Sequence, residues 1–419
     1  MWMSKMRSIL MIADDLTGAC DAGIQFANGG IRSVVLFDPS RFQNQKIDAV
    51  VLDTASRAMA PDGAYEAVSR QMAHMKTASF DLVYKKMDST LRGNIGSELD
   101  AIMDQLKLEQ AVVAPALPAL NRVTKQGVHY WNGVKIAETE MGRDPKTPVT
   151  ESDLVRLLSG QSRRKAGLID LAVVRGSREA FRAHVFRLME EGCGLFVCDA
   201  ETPADLVRIT DGFSDWAAPL LWAGSAGLAE QLVPNQRVNT KPGHVLKPAG
   251  PVLLVCGSRS ALTKTQVQQV KQKCGAAETA LQPDQLLHPA ERKKEIARCV
   301  DELKRNIANG QDAVLAVGET VEAEHQLPER IEEAIGQVAA QVIHACGIKR
   351  VILTGGDTAK AVALQMGAEG MDLIREIEPG IPLARMLGLP QLTAVTKAGA
   401  FGGPDSLCQA VAILKGQMK

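Results

Sequence analysis

The sequence predicts an α/β protein: two α/β domains with mainly parallel sheets and a cleft between them. Three observations carry that expectation. Short apolar, β-branched runs alternate with segments of helical period along most of the chain, the pattern of strands buried on both faces and joined by helical crossovers. The alternation stops at 233–250 (VPNQRVNTKPGHVLKPAG), where Pro, Gly, Asn and basic residues gather as in a linker. Finally, 419 residues exceed what one ordinary core holds together. The expected division is residues 1–234 and residues 250–419, with 235–249 between them.

Taken in order, the first-half strands are Ser8–Ala13, Ser33–Phe37, Ala49–Asp53, Leu82–Lys85, Ala111–Ala114, Leu168–Val174 and Leu195–Asp199. Helical periods fall between them, as at Gly63–Ala78 and Gly93–Lys107. The second half repeats the pattern with strands at Pro251–Cys256, Ala313–Val317, Arg350–Leu353 and Leu392–Val395. Long helices at Thr263–Lys273, Arg292–Ala308 and Pro328–Ala345, charged on one face, lie between them.

Composition narrows the function. Hydrophobic residues make up 46% and charged residues 23% of the chain, an ordinary globular balance. Lys+Arg and Asp+Glu both number 48, which argues against a general nucleic-acid binder. No run approaches the ~18 apolar residues of a membrane span, and the charged N-terminus reads as a first strand rather than a signal segment. The eight Cys include no CxxC and the seven His are dispersed. That pattern points to reduced thiols in a cytoplasmic protein without a zinc cluster. A homo-oligomer is left open.

The chemistry-bearing residues cluster at expected strand ends. "MIADDLTGACDAG" puts Asp14 and Asp15 at the tip of an apolar strand, a costly place for two carboxylates without a task. "LDTASRAM" places Asp53, Ser56 and Arg57 at another tip, and "YKKMDSTLRGNIGSEL" packs Lys86, Asp88, Ser89, Thr90, Arg92, Gly93 and Asn94 after a third. Cations, a carboxylate and hydroxyls together suit a small anionic, hydroxylated ligand. A helix cap with a solvated charge pair is the plainer explanation of the same residues. Asn121, Arg122 and Lys125 lie on a Pro-bounded loop that reads equally as a site rim or a rigid connection, and His129 reads as structural. In the second half, "CGSRS", "VGET", "TGGDTAK" and "TKAGAFGGPD" each follow a strand. Gly355 and Gly356 with Asp357 or Thr358 as helix cap form an anion site suited to phosphate. The Lys397–Gly403 turn adds backbone for close approach and a cation. Tight turns that merely need glycine are the alternative for any one of them. Neither GxxxxGK[ST] nor GxGxxG is present, which disfavours a P-loop and a dinucleotide fold.

Taken together, "IADDLTGACDAG", "KKMDSTLRGNIGSEL", "WAGSAGLAEQL", "VCGSRS", "LTGGDTAKAV", "EIEPGIPLARM" and "TKAGAFGGPDSL" resemble, in order and from about Met11 to Leu407, the four-carbon acid sugar kinase family. Within it the chain looks most like the D-threonate kinases, although kinases of erythronate, L-threonate and 3-oxo-tetronate share these motifs. The resemblance implies an acid-sugar site on the N-terminal domain, ATP on the C-terminal domain and phosphorylation of the C4 hydroxyl. By motif, Asp14, Asp15, Arg57, Lys86, Asp88, Ser89, Thr90 and Arg92 fall on the substrate side. Ser258, Gly355, Gly356, Asp357, Thr358, Lys397, Gly399, Ala400, Gly402 and Gly403 fall on the nucleotide side. Asp15 is the expected base, with Asp14 orienting or assisting Mg²⁺ and Asp88 next in line. Arg57, Lys86 or Arg92 is expected to hold the substrate carboxylate, and metal ligands are unassigned. A NAD-dependent sugar-acid oxidoreductase and a non-catalytic sugar-acid sensor are the readings from other classes.

Overall fold

The apolar runs become strands at the centre of two sheets. The computed structural model describes residues 8–41, 47–75, 80–144, 146–233, 250–319, 327–399 and 401–417. The expected linker at 235–249 lies outside them. Two compact units emerge: the first takes its described residues from 1–33 and 39–236, the second from 34–38 and 237–419.

The chain begins β1 (Ile9–Ala13), α1 (Leu16–Asn28), β2 (Ser33–Leu36), β3 (Ala49–Asp53), α2 (Pro61–Ala73), β4 (Leu82–Lys86), α3 (Ile95–Leu106) and β5 (Gln110–Ala114). A small antiparallel sheet follows, made of β6 (Arg122–Lys125), β7 (Val128–Trp131) and β8 (Val134–Lys135). Next come α4 (Leu154–Gln161), β9 (Lys165–Ile169), α5 (Leu171–Val174), α6 (Arg178–Glu190), β10 (Cys193–Cys198), α7 (Pro203–Gly212), β11 (Leu220–Gly224) and α8 (Ala226–Gln231). Within the first unit the strands run parallel in the order β3-β1-β4-β11-β5-β10-β9. All five residues of β1 are buried, as a strand covered on both faces requires. Because β3 and β4 flank β1 on opposite sides, the strand order reverses here, and such a reversal opens a crevice at the carboxyl ends of the strands.

The second unit runs β12 (Leu253–Cys256), α9 (Ala261–Cys274), β13 (Ala277–Leu281), α10 (Pro289–Ala308), β14 (Ala313–Val317), α11 (Leu327–Cys346), β15 (Arg350–Thr354), α12 (Gly356–Gln365), β16 (Gly370–Glu378), β17 (Ile381–Leu387), β18 (Thr393–Lys397) and α13 (Ser406–Leu414). Its order is β13-β14-β12-β15-β18-β17-β16-β2. The first five strands are parallel, and β17, β16 and β2 continue antiparallel. Leu254, Cys256, Val314, Ile352 and Val395 form its core with Val267, Val270, Leu407 and Val411 from α9 and α13. The four glycine-rich turns follow β12, β14, β15 and β18 and therefore share one edge.

The structure adds strands at β11 and β13 that the expected set lacks, and it divides the expected strand Leu168–Val174. Asp170 accepts a bond from Val173 N at 3.0 Å and caps a helical turn, so the apolar run divides into the end of β9 and α5. The β16–β17 hairpin, turning at Gly380 with φ +77°, is a further element beyond the expected strands. No helix among the described residues is long and apolar enough to cross a membrane.

Charge is also buried in the frame. Lys85 Nζ lies 2.6 Å from Glu98 Oε2, each side chain 1% exposed. Glu98 also accepts from Ser56 Oγ, which links β4, α3 and the loop after β3. Removing one member of such a pair strands a charge in the interior. Lys85→Met is expected to cost about 3–5 kcal/mol in denaturant unfolding, and pairing it with Glu98→Leu should recover most of that loss. A double variant no more stable than Lys85→Met would contradict this account.

Candidate functional site

β3, β1 and β4 stand side by side, with Ala13 in register with Asp53 and with Lys86. The residues that leave these strand ends therefore meet. Asp14 and Asp15 follow Ala13, and Arg57 closes on both. Its Nε lies 2.8 Å from Asp14 Oδ2 and its Nη2 3.0 Å from Asp14 Oδ1. Its Nη1 lies 2.7 Å from Asp15 Oδ2 and its Nη2 2.7 Å from Asp15 Oδ1. All three guanidinium nitrogens are thus used, a bidentate geometry that lysine could not supply.

The two aspartates differ in their other duties. Asp15 is the N-cap of α1, accepting from Gly18 N at 2.8 Å and Thr17 Oγ1 at 2.7 Å. Asp14 is buried; burial works to raise its pKa, but the charges of Arg57, Lys85 and Lys86 prevail and hold it below the usual range. Arg57 gives four of its N–H groups to the acid pair, because two adjacent carboxylates at a buried strand tip need a cation beside them. Each Asp15 oxygen accepts two bonds, from guanidinium and from a hydroxyl or helix N–H, and each Asp14 oxygen accepts one from Arg57.

The loop after β4 completes the cluster. Lys86 Nζ donates to Met87 O at 2.7 Å and lies 3.7 Å from Asp21 Oδ2. Asp88 accepts from Thr90 Oγ1, from Arg92 N at 3.3 Å and from Arg92 Nε at 2.6 Å, all on Oδ2. Burial opposes its ionisation, yet Arg92 and Arg57 hold it well below the usual carboxylate range. Arg92 reaches on to Asp144 at 3.4 Å. Gly93 has φ +96°, and a Cβ there would sit 3.2 Å from Asp14 Oδ2 and 3.3 Å from Arg57 Cγ. The loop needs glycine both for its conformation and to lie against the acid pair.

The small sheet supports this loop from behind. Arg122 Nη1 donates to Ser89 Oγ at 2.5 Å, and its guanidinium lies 5.2 Å from the Trp131 ring centroid. His129 is wholly buried, with Nε2 2.9 Å from Ser89 O and Nδ1 3.0 Å from Thr124 Oγ1. His129 is therefore a strut, and Arg122 belongs to the cluster. Lys125 instead pairs with Glu201 at 3.3 Å. Asp21, inside "GACDAG", has no motif partner in the sequence to mark it. One turn into α1, it faces Lys86, and burial lifts its pKa above the ordinary value against the pull of Lys86.

The second unit builds its candidate site from backbone. Gly257 and Ser258 follow β12, Gly355–Thr358 follow β15, and Lys397–Gly399 follow β18. Gly257 N donates to Thr354 O at 3.2 Å, and Gly355 N to Lys397 O at 2.8 Å. Ser260 Oγ donates to Gly399 O at 2.9 Å. A Cβ on Gly257 would collide with Thr358 Oγ1, and one on Gly399 with Ser258 Oγ, so the turns touch only because glycine is there. Gly355 (φ +100°) precedes α12, and no side chain caps that helix. Its first turn is a natural anion site. It opens on a cavity of about 160 Å³ lined by Gly257, Ser258, Gly355, Asp357 and Thr358 on one wall and Val317, Pro328 and Ile331 on the other. A second cavity of about 350 Å³ continues past Ser258 and Arg259 to Glu278 and Gln282.

Lys397 departs from its expected part as a phosphate partner. It is buried, and its Nζ donates to the carbonyls of Ala398, Gly399 and Phe401 at 2.8, 3.0 and 3.1 Å. Desolvation brings its pKa down to about 8. Its ammonium thus shapes the loop from inside. Gly403 is tied to α9 by Gln266 Nε2 at 2.7 Å and to Ser406 Oγ at 2.8 Å, and Gly402 has φ +81°. Ala400 lies outside the described residues.

Comparison with known proteins accords with this division. Residues 9–232 match the sugar-binding N-terminal domain model and residues 253–407 the nucleotide-binding C-terminal domain model. A D-threonate kinase of Salmonella typhimurium is 33% identical, aligned over 96% of this chain and 97% of its own. A D-erythronate kinase of Heliobacterium modesticaldum is 29% identical over 97% of each. A 3-oxo-tetronate kinase of Brucella melitensis is 30% identical over 94% of this chain and 92% of its own. Among solved structures, a Salmonella typhimurium LT2 protein superposes with a TM-score of 0.83 at 27% identity, covering 97% of this chain and 99% of that one. A Haemophilus influenzae protein does so with 0.76 at 25% identity, covering 97% and 100%.

His129 supplies a pH signature. Burial lowers its pKa from 6.5 to about 4, so between those values the unfolded chain binds the extra proton. Stability should therefore fall as pH drops from 6.5 towards 4, by about 3 kcal/mol from this residue once it is fully charged. His129→Gln, which keeps a donor for Ser89 O, should flatten that part of the stability–pH curve. Parallel curves for the variant and the wild type would assign the acid sensitivity elsewhere.

Proposed function

Given that the chain belongs to the four-carbon acid sugar kinase family, we propose that it transfers the γ-phosphoryl group of ATP to the C4 hydroxyl of D-threonate, giving D-threonate 4-phosphate. The kinase class sets aside the oxidoreductase and sensor readings. The observation that carries the proposal is the compact array of carboxylates, hydroxyls and cations at the ends of β1, β3 and β4, in a chain whose other unit offers an uncapped helix and glycine turns to phosphate. The relatives named D-threonate kinase support the choice of acid; erythronate and 3-oxo-tetronate are the competitors.

In this reading Asp88, Ser89 and Thr90 meet the hydroxyls of the acid, with Asp88 Oδ1 the oxygen left for them. Arg92 and Arg122 meet its carboxylate. Arg122 suits that task because its Nε is buried without a hydrogen-bond partner among the described residues, an expensive vacancy unless a ligand fills it. Lys86 lies beside the reacting end. Asp14, Asp15 and Arg57 position these groups as one rigid unit. On the donor side, the turns at Ser258 and Gly355–Thr358 cradle the phosphates through backbone N–H groups, and the Gly399 turn closes beside them. Phosphoryl transfer asks mainly for such positioning and charge neutralisation.

A protein cage for Mg²⁺ does not fit: no three acidic, His or Cys side chains gather into a metal site among the described residues. Mg²⁺, when carried in by the nucleotide, would supply neutralisation of the phosphate charge.

ADP release should be fastest, by kcat/KM, with D-threonate among D- and L-threonate, D- and L-erythronate and the 3-oxo acids, and phosphorus–proton NMR correlation should locate the phosphate at C4. A higher kcat/KM for another acid would reassign the substrate. Arg122→Ala should raise KM for the acid by about tenfold or more, the worth of a hydrogen bond to a charged group, while KM for ATP holds. Equal rises in both would remove Arg122 from the carboxylate site.

A further inference from the structure

Phosphoryl transfer to a hydroxyl needs a group to accept its proton, and the aspartates singled out from the sequence are already engaged. Asp14 and Asp15 share the forks of Arg57, and Asp15 also caps α1. Asp88 is bound on Oδ2 by Thr90 and Arg92, and its Oδ1 is given to the hydroxyls that are not phosphorylated. Asp21 differs from all three. It stands on α1, its side chain 18% exposed, and its carboxylate receives no hydrogen bond among the described residues. Its ion-pair contact is Lys86 Nζ at 3.7 Å, close enough to favour the carboxylate and too far to occupy its lone pairs.

We propose that Asp21 is the general base of the reaction, its carboxylate taking the proton of the acceptor C4 hydroxyl while Lys86 steadies the charge beside it. The inference rests on the kinase reading above. The hydroxyl oxygen forms the new bond to the γ-phosphorus. The bond between that phosphorus and the β–γ bridging oxygen breaks, and its electron pair leaves with ADP. The hydroxyl proton resides on Asp21 until solvent removes it. A base works best when its pKa approaches the working pH, and burial with the charges of Asp15 and Asp88 moves Asp21 in that direction, against Lys86 and Arg122.

The groups facing Asp21 separate its titration from theirs. From β4 come Lys86 and Tyr84, the latter held well above its ordinary value by burial and by Asp21 itself. Asp15 lies at the start of its own helix, Asp88 and Arg122 act on it from the loop after β4 and from β6, and α8, whose Ala226, Gly227, Leu228 and Ala229 are buried, packs on α1. Asp88 stays ionised to well below the usual range.

The test is steady-state kinetics of the full chain with ATP and the four-carbon acid preferred by wild type. Asp21→Asn should lower kcat by about 10²–10⁴-fold, with KM for the acid and the melting curve little changed, and the acidic limb of the kcat–pH profile should vanish. Asp21→Glu keeps a carboxylate on a longer arm and should retain that limb at reduced kcat, which also covers an unstable Asn variant. Wild-type kcat in Asp21→Asn overturns the proposal, as does a loss confined to KM with the acidic limb intact. Loss of the acidic limb in an active Asp21→Glu also overturns it. Wild-type protein inactive with every four-carbon acid overturns the kinase reading itself, and the base with it.

Discussion

The first unit depends on one guanidinium. Two carboxylates side by side at the end of a buried strand repel each other and lose their hydration, and Arg57 answers both costs with paired bonds to each. It reaches them from a loop 42 and 43 residues further along the chain. By doing so it joins the end of β1 to the turn after β3 and fixes the first turn of α1. Gly93 can then lie against the pair, which brings in the loop after β4. A cation there is a structural necessity before it is a functional one, which is why its donors face inward.

The two units use different materials for related ends. The first presents side chains: carboxylates, hydroxyls and cations with fixed directions, suited to telling one hydroxyl configuration from another. The second presents backbone: an uncapped helix start and glycine turns in contact. Phosphate carries charge without stereochemistry to read, so aligned N–H groups serve it and side chains would only take up room.

Buried lysines at strand ends recur in both units. Lys85 Nζ donates to Lys86 O and Lys86 Nζ to Met87 O, each at 2.7 Å, and Lys397 gathers three carbonyls of the loop it begins. Each ammonium satisfies carbonyls that a tight turn leaves without partners, and a chain leaving a buried strand needs such donors. The arrangement holds loop shape from beneath.

Sequence alone determined the fold class, the placing of chemistry-bearing residues at strand ends, the shared edge of the four glycine turns and, through motif resemblance, the family. Burial on both faces leaves a periodic signature, and glycine marks the turns that need it, so these properties are written locally. Only the tertiary structure decided that Arg57 serves the aspartates, that Lys397 turns inward, that Arg122 and His129 brace Ser89, and that the Asp21 carboxylate stands beside Lys86 with no hydrogen-bond donor among the described residues. It also decided that residues 34–38 join the second sheet and that β16 and β17 run antiparallel. Which charge meets which depends on distances between segments tens of residues apart, and no linear spacing carries that information. The task of the pair in "MIADDLTGACDAG" is legible only once Arg57 stands beside it.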